Sequence, residues 1–135
     1  MEAKSSKTTA EKLGINEGAR IVALRAPPDY TAILGHLAES VLVTQKLDQP
    51  AGFIHYFAMD RRELESDFPI LKGMLQKDGT IWISWPKRAS KVATDLNDGA
   101  VREIGLANGL VDVKVCSVNE VWSGLKFVYR LKDRG

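Results

Sequence analysis

Short apolar runs alternate with segments of helical character along this chain, and the last two apolar runs follow one another directly. Arg20-Ile21-Val22-Ala23-Leu24-Arg25, Ser40 to Leu47, Phe53 to Phe57 and Thr80 to Trp85 are near-continuous apolar or β-branched stretches. Runs of that kind suit strands buried on both faces of a sheet. Between them lie helical segments. Asp29 stands where a cap would open a helix over 30–37, and Asp60 with Glu63 is placed as a capping box. That second helix is expected to break near Pro69 and resume through Leu71 to Gln76. Thr94 or Asn97 caps a third helix that ends near Asn108, with Gly109 beyond it. Two alternating stretches close the chain. Val111, Val113 and Val115 alternate with Asp112 and Lys114, and Leu125, Phe127, Tyr129 and Leu131 alternate with Lys126 and Arg130, which predicts an antiparallel hairpin.

Strands interleaved with helices predict an α/β fold: an open, three-layer, Rossmann-like sheet of about six strands, mostly parallel, with a C-terminal antiparallel hairpin. The 135 residues suffice for one domain, read as residues 13–135 behind a flexible tail over 1–12. That tail carries three lysines and two glutamates and little that could be buried.

Composition removes several functions. No apolar run approaches the ~20 residues of a membrane helix. One cysteine, Cys116, excludes an internal disulfide. No His, Cys or carboxylate pair shows metal-ligand spacing, and no phosphate-loop lysine motif is present. The net charge of +2 is too mild for a phosphate-tracking surface, so nucleic acid is not the expected partner. A reduced, cytoplasmic protein fits these features.

In open sheets of this kind, ligands sit beyond the C-terminal ends of the parallel strands. Three segments qualify: Arg25 to Tyr30, Ala58 to Arg62, and Trp85 to Lys91. The candidate ligand residues are Arg25, Tyr30, Asp60, Trp85, Lys87, Arg88, Ser90 and Thr94. Lys87 and Arg88 could hold a phosphate or carboxylate, with Ser90 or Thr94 donating hydrogen bonds beside a helix N-terminus. The bland alternative is a solvated basic loop. Asp60 is sufficiently explained as a cap, His55 as a hydrogen-bonded core histidine, and Cys116 as an inert buried thiol. Trp82 and Trp85 are three apart and so face opposite sides of a strand. Trp122, in the hairpin connection, is expected to be exposed and a candidate partner contact.

Residues 53–130 resemble the second half of the class I S-adenosylmethionine-dependent methyltransferase fold, through Met74-Leu75-Gln76-Lys77-Asp78-Gly79-Thr80-Ile81-Trp82-Ile83-Ser84 and the closing hairpin. A closer resemblance covers most of the chain after the tail. Lys12-Leu13-Gly14-Ile15, Trp82-Ile83-Ser84-Trp85-Pro86-Lys87, Thr94-Asp95-Leu96, Gly109-Leu110-Val111-Asp112-Val113-Lys114-Val115-Cys116 and Trp122-Ser123-Gly124-Leu125 resemble a family of small bacterial proteins known as a domain of unknown function.

The methyltransferase resemblance implies a glycine-rich turn after the first strand and an acidic residue at the end of the second. The first place holds Leu24-Arg25-Ala26-Pro27-Pro28, with no glycine and two residues that lack an N–H. The only nearby acidic candidate for the second is Asp48, and the turn it forms is the preferred reading of it. A seven-residue parallel strand is about 23 Å long. Five residues return at most about 18 Å, so the second strand is either shorter than drawn or antiparallel. On these grounds the expectation is a methyltransferase-like domain without methyltransferase activity. It would bind a small anionic ligand or a protein partner and need no cofactor. The alternatives are a minimal methyltransferase and a weak nucleic-acid binder.

Overall fold

The computed structural model describes residues 7–134; the flexible tail expected over residues 1–6 lies outside them. The elements run α1 (Thr9–Leu13), β1 (Arg20–Leu24), α2 (Tyr30–Leu34), β2 (Leu42–Thr44), β3 (Ala51–Phe57), α3 (Arg61–Gly73), β4 (Leu75–Pro86), α4 (Asp98–Ala107), β5 (Leu110–Ser117) and β6 (Trp122–Tyr129). One six-stranded sheet has the order β2-β1-β3-β4-β6-β5. The pairs β1/β2, β1/β3 and β3/β4 are parallel, and β6 runs antiparallel to both β4 and β5. The expected α/β architecture is therefore present: mostly parallel, Rossmann-like, and closed by the reversed hairpin.

Two apolar clusters flank the sheet and make the three layers. One gathers Leu64, Phe68 and Leu71 of α3 and Val101 and Ile104 of α4 against Ile54, Tyr56, Ile81, Ile83 and Phe127. The other gathers Leu13, Tyr30 and Leu34 against Ile21, Phe57 and Trp82. Because β3 and β4 face apolar side chains both ways, almost every residue of their central stretches is buried. Trp82 and Trp85 fall in opposite clusters, as their spacing predicts. Trp82 Nε1 donates to the Leu13 carbonyl at 3.0 Å.

Several local expectations are corrected. Part of the tail folds: Thr8 and Glu11 form a reciprocal capping box on α1, and Ala10 and Leu13 are buried. The helix α2 stops at Gly35, and Asp29 makes no side-chain cap to it. The strand β2 is parallel but only three residues long, which resolves the reach problem. Asp48 folds back to the starting edge of β1, 3.7 Å from Arg20. The helix α3 runs straight through Pro69. Proline removes one backbone donor there, while Leu64, Phe68 and Leu71 anchor both halves to the sheet. The turn expected at Lys77-Asp78-Gly79 lies inside β4 as an irregularity, because Leu75 pairs with Ala51 and Thr80 with Phe53. At Gly105 the helix α4 packs onto β6 so closely that a Cβ would lie 2.0 Å from Phe127 Cε1.

Candidate functional site

The C-terminal ends of β1, β3 and β4 form one crest, and the three loops that leave it are those singled out by the fold. After β1 the chain turns at Arg25, whose φ of +57° is left-handed. Glycine is the default residue at such a place, and a side chain there costs about 1–2 kcal/mol. Tyr30 N then donates to the Pro27 carbonyl at 3.1 Å and α2 begins. A tight turn is thus made after β1 without a glycine.

The Arg25 side chain crosses to α3. Its Nη1 donates to Glu63 Oε2 at 2.7 Å, and its Nε lies 3.7 Å from Asp67 Oδ2. Asp60 opens α3 by accepting from Glu63 N at 2.8 Å. The capping box is only half made, since the Glu63 carboxylate is turned to Arg25 instead of back to the Asp60 N–H. Glu63 Oε1 is buried and has no hydrogen-bond partner among the described residues. A carboxyl oxygen left so is expensive unless a donor reaches it. Tyr56 donates to Asp67 beside this group, and burial foremost, then that bond, pushes its phenol well above the usual range.

The loop after β4 is stitched to the loop after β3. Thr94 Oγ1 donates to the Met59 carbonyl at 2.5 Å and accepts from Leu96 N at 3.1 Å. Asp95 Oδ1 accepts from Arg61 N at 2.8 Å. Ser90 Oγ donates to the Lys87 carbonyl at 2.7 Å and accepts from Val92 N at 3.2 Å. Asn97, not Thr94, caps α4 through Ala100 N. The hydroxyls of Ser90 and Thr94, expected to donate to a ligand, are engaged within the protein. Beyond β4 these residues border an open cavity of about 580 Å³ lined by Trp85, Lys87, Arg88, Lys91, Thr94 and Leu96 among others. Lys87 Nζ donates to Ser117 Oγ at 2.6 Å. Among the described residues, the side chains of Arg88 and Lys91 make no hydrogen bond or ion pair.

Tyr30 does not face the crest. It is buried, and its hydroxyl lies 2.9 Å from His55 Nδ1, while His55 Nε2 lies 2.7 Å from Ser84 Oγ. The three side chains tie the loop after β1 to the centres of β3 and β4. Burial holds the imidazole neutral, lowering its pKa to about 3, and pushes the Tyr30 phenol up. A neutral ring offers one donor and one acceptor, which is what two hydroxyls can satisfy. His55 thus matches its core-histidine reading, with partners that sequence separation concealed. Trp122 is half-buried, edge-on to Phe57 with ring centroids 4.9 Å apart, so it is not the exposed patch that the hairpin suggested. Cys116 is buried, and desolvation raises its pKa. Among the described residues no group of three or more His, Cys, Asp or Glu is placed to hold a metal ion, and no helix is long and apolar enough to cross a membrane.

No protein-family model matches the chain, and no curated protein matches it. Solved structures do. The chain is similar to a ribosomal protein L11 methylase from Lactobacillus delbrueckii subsp. bulgaricus, with a TM-score of 0.58 at 13% identity over 90% of this chain and 75% of that one. It is similar to a TehB-like SAM-dependent methyltransferase from Corynebacterium glutamicum, with a TM-score of 0.55 at 13% identity over 95% and 90%. It is also similar to LepI in complex with SAM, with a TM-score of 0.55 at 9% identity. There it covers 96% of this chain but spans only half of LepI. At these identities the likeness shows a methyltransferase-like, Rossmann-like fold. It corrects the expectation of a domain without methyltransferase activity. Nearly the whole chain, not just residues 53–130, follows the fold of such enzymes.

Proposed function

We propose that this chain is a minimal S-adenosylmethionine-dependent methyltransferase domain of the small bacterial family its motifs resemble, working in the cytoplasm. The observation that carries the reading is topological. The order here is β2-β1-β3-β4-β6-β5, with β6 reversed, and the fold so built is similar over most of the chain to solved methyltransferases. It sets the ends of β1 and β3 side by side as a ligand crest.

The residues at that crest fit the cofactor in one respect that the fold does not dictate. Glu63 Oε1 is a buried acceptor with no donor among the described residues, and a ribose hydroxyl or an ammonium group is the kind of donor it lacks. Arg25 fixes this carboxylate from its other oxygen. Asp48, paired with Arg20 at the far edge, takes no part. When bound, the cofactor supplies an electrophilic methyl group on a sulfonium centre. The protein's own share is to hold that group at the crest and to align an acceptor from the adjoining cavity beyond β4, so that positioning carries the rate.

A thermal-unfolding titration with S-adenosylmethionine and S-adenosylhomocysteine tests this. Ligand at a hundredfold excess over Kd stabilises by about 2.7 kcal/mol, a shift of several degrees for a domain of this size. An unmoved transition at millimolar ligand refutes the proposal.

A further inference from the structure

We infer that the cavity beyond β4 is built for a small organic acid, a carboxylate with an apolar body, which under the methyltransferase reading is the methyl acceptor. The inference rests on that reading for the word acceptor alone; the pocket stands on its own geometry. Its volume of about 580 Å³ lies within the range of small-molecule sites. The walls divide by chemistry. Trp85, Val92, Leu96 and Val115 supply apolar surface, and Lys87, Arg88 and Lys91 supply positive charge.

The charges are not equally available. Lys87 is held by Ser117. The two carboxylates at the cavity are also held in place, Asp95 accepting from Arg61 N and Asp98 from Gly99 N, but keep their charge, so cations outnumber carboxylates three to two. Arg88 and Lys91 are exposed and, among the described residues, have no side-chain partner. A net positive charge, with two cations that have no side-chain partner among the described residues, beside an apolar wall selects an anionic head joined to an apolar body. A bare inorganic anion leaves the wall unused, and a neutral ligand leaves the cations unused. The Thr94–Met59 bond sets this pocket directly beside the loop after β3, so its occupant lies next to the crest.

The test is a titration of the isotopically labelled full chain with benzoate, and separately with inorganic phosphate, followed by amide NMR at Trp85, Arg88, Val92, Leu96 and Val115. The same titrations are made on the Arg88→Gln, Lys91→Gln double variant. Both side chains are exposed and, among the described residues, unpaired, so away from positions 88 and 91 the variant's spectrum should overlay the wild type. Saturable benzoate shifts at these amides, weakened at least about tenfold in the variant by loss of charge-assisted bonds, support the inference. Overturning results are the absence of saturable shifts, equal affinity in the variant, or phosphate binding as tightly as benzoate. S-adenosylhomocysteine is titrated in parallel. Benzoate binding without it removes the methyl-donor reading and leaves the pocket; the reverse removes the pocket and leaves the donor.

Discussion

Arg25 Nη1 donates to Glu63 Oε2 at 2.7 Å and leaves the other oxygen of that carboxylate buried without a donor among the described residues. The pair joins the turn after β1 to the first turn of α3, which are the two segments a ligand at the crest must touch. With Arg25 about half exposed, the ion pair itself is worth little, roughly 0–1 kcal/mol. Its use is to orient a carboxylate. Glu63→Gln is therefore expected to leave the unfolding midpoint nearly unchanged while weakening S-adenosylhomocysteine about tenfold by calorimetry, the scale of one charge-assisted hydrogen bond. Equal affinity in the variant removes Glu63 from the site.

His55 predicts a dependence on acidity. Burial lowers its pKa to about 3 from an ordinary 6.5, so the folded protein keeps the ring neutral while the unfolded chain takes up a proton below about pH 6.5. The unfolded state then binds more protons, and stability falls as pH drops from 6.5 toward 3, by about 1.4 kcal/mol per pH unit for this one group. Urea unfolding between pH 7.5 and 5, above the carboxylate range, should show that slope. His55→Gln should flatten it while lowering stability at pH 7.5. An unaltered slope in the variant would assign the acid sensitivity elsewhere.

The contact of α4 with β6 sets two opposing effects at Gly105. Alanine is the better helix former by about 1 kcal/mol. Its Cβ, however, would lie 2.0 Å from Phe127 Cε1. Packing wins: Gly105→Ala is expected to destabilise by at least about 2 kcal/mol, and Phe127→Leu in the same chain should recover part of that loss. A stabilised Gly105→Ala would mean that α4 sits farther from β6 than the geometry states.

Thr94 joins two loops through one hydroxyl. Thr94→Val removes the donor to the Met59 carbonyl and the acceptor for Leu96 N, at a cost of about 1–2 kcal/mol. Faster amide hydrogen exchange at Leu96 than in the wild type would locate that loss in the loop. Unchanged exchange would show that the stitch is dispensable.

Much of this fold is legible in the chain because local patterning and final position agree. The apolar runs at Arg20–Leu24 and in β3 and β4 have no other place than a sheet covered on both faces, and the alternation around Val111 and Leu125 reads directly as a hairpin. Asn97 and Gly109 mark the ends of α4 by cap chemistry. The failures share a cause: long-range packing overrode a local signal. Pro69 is a breaker by rule, but Phe68 and Leu71 hold α3 to the sheet on either side of it. Part of the polar tail folds because Ala10 and Leu13 find apolar cover against the sheet. The crest was located by topology, but its contacts were hidden. Glu63 looks like half of a capping box until Arg25, 38 residues away, claims its carboxylate. Tyr30, His55 and Ser84 meet only because β1, β3 and β4 are neighbours. The turn after β1 lacks the glycine that would have signalled it, and Arg25 takes up the left-handed angle instead.

Equilibrium dialysis of the full chain against radiolabelled S-adenosylmethionine addresses the central claim without intermediaries. The account predicts saturation at one molecule per chain, competed by S-adenosylhomocysteine and weakened by Glu63→Gln. Equal label on both sides of the membrane at millimolar ligand, with the protein folded, would contradict it.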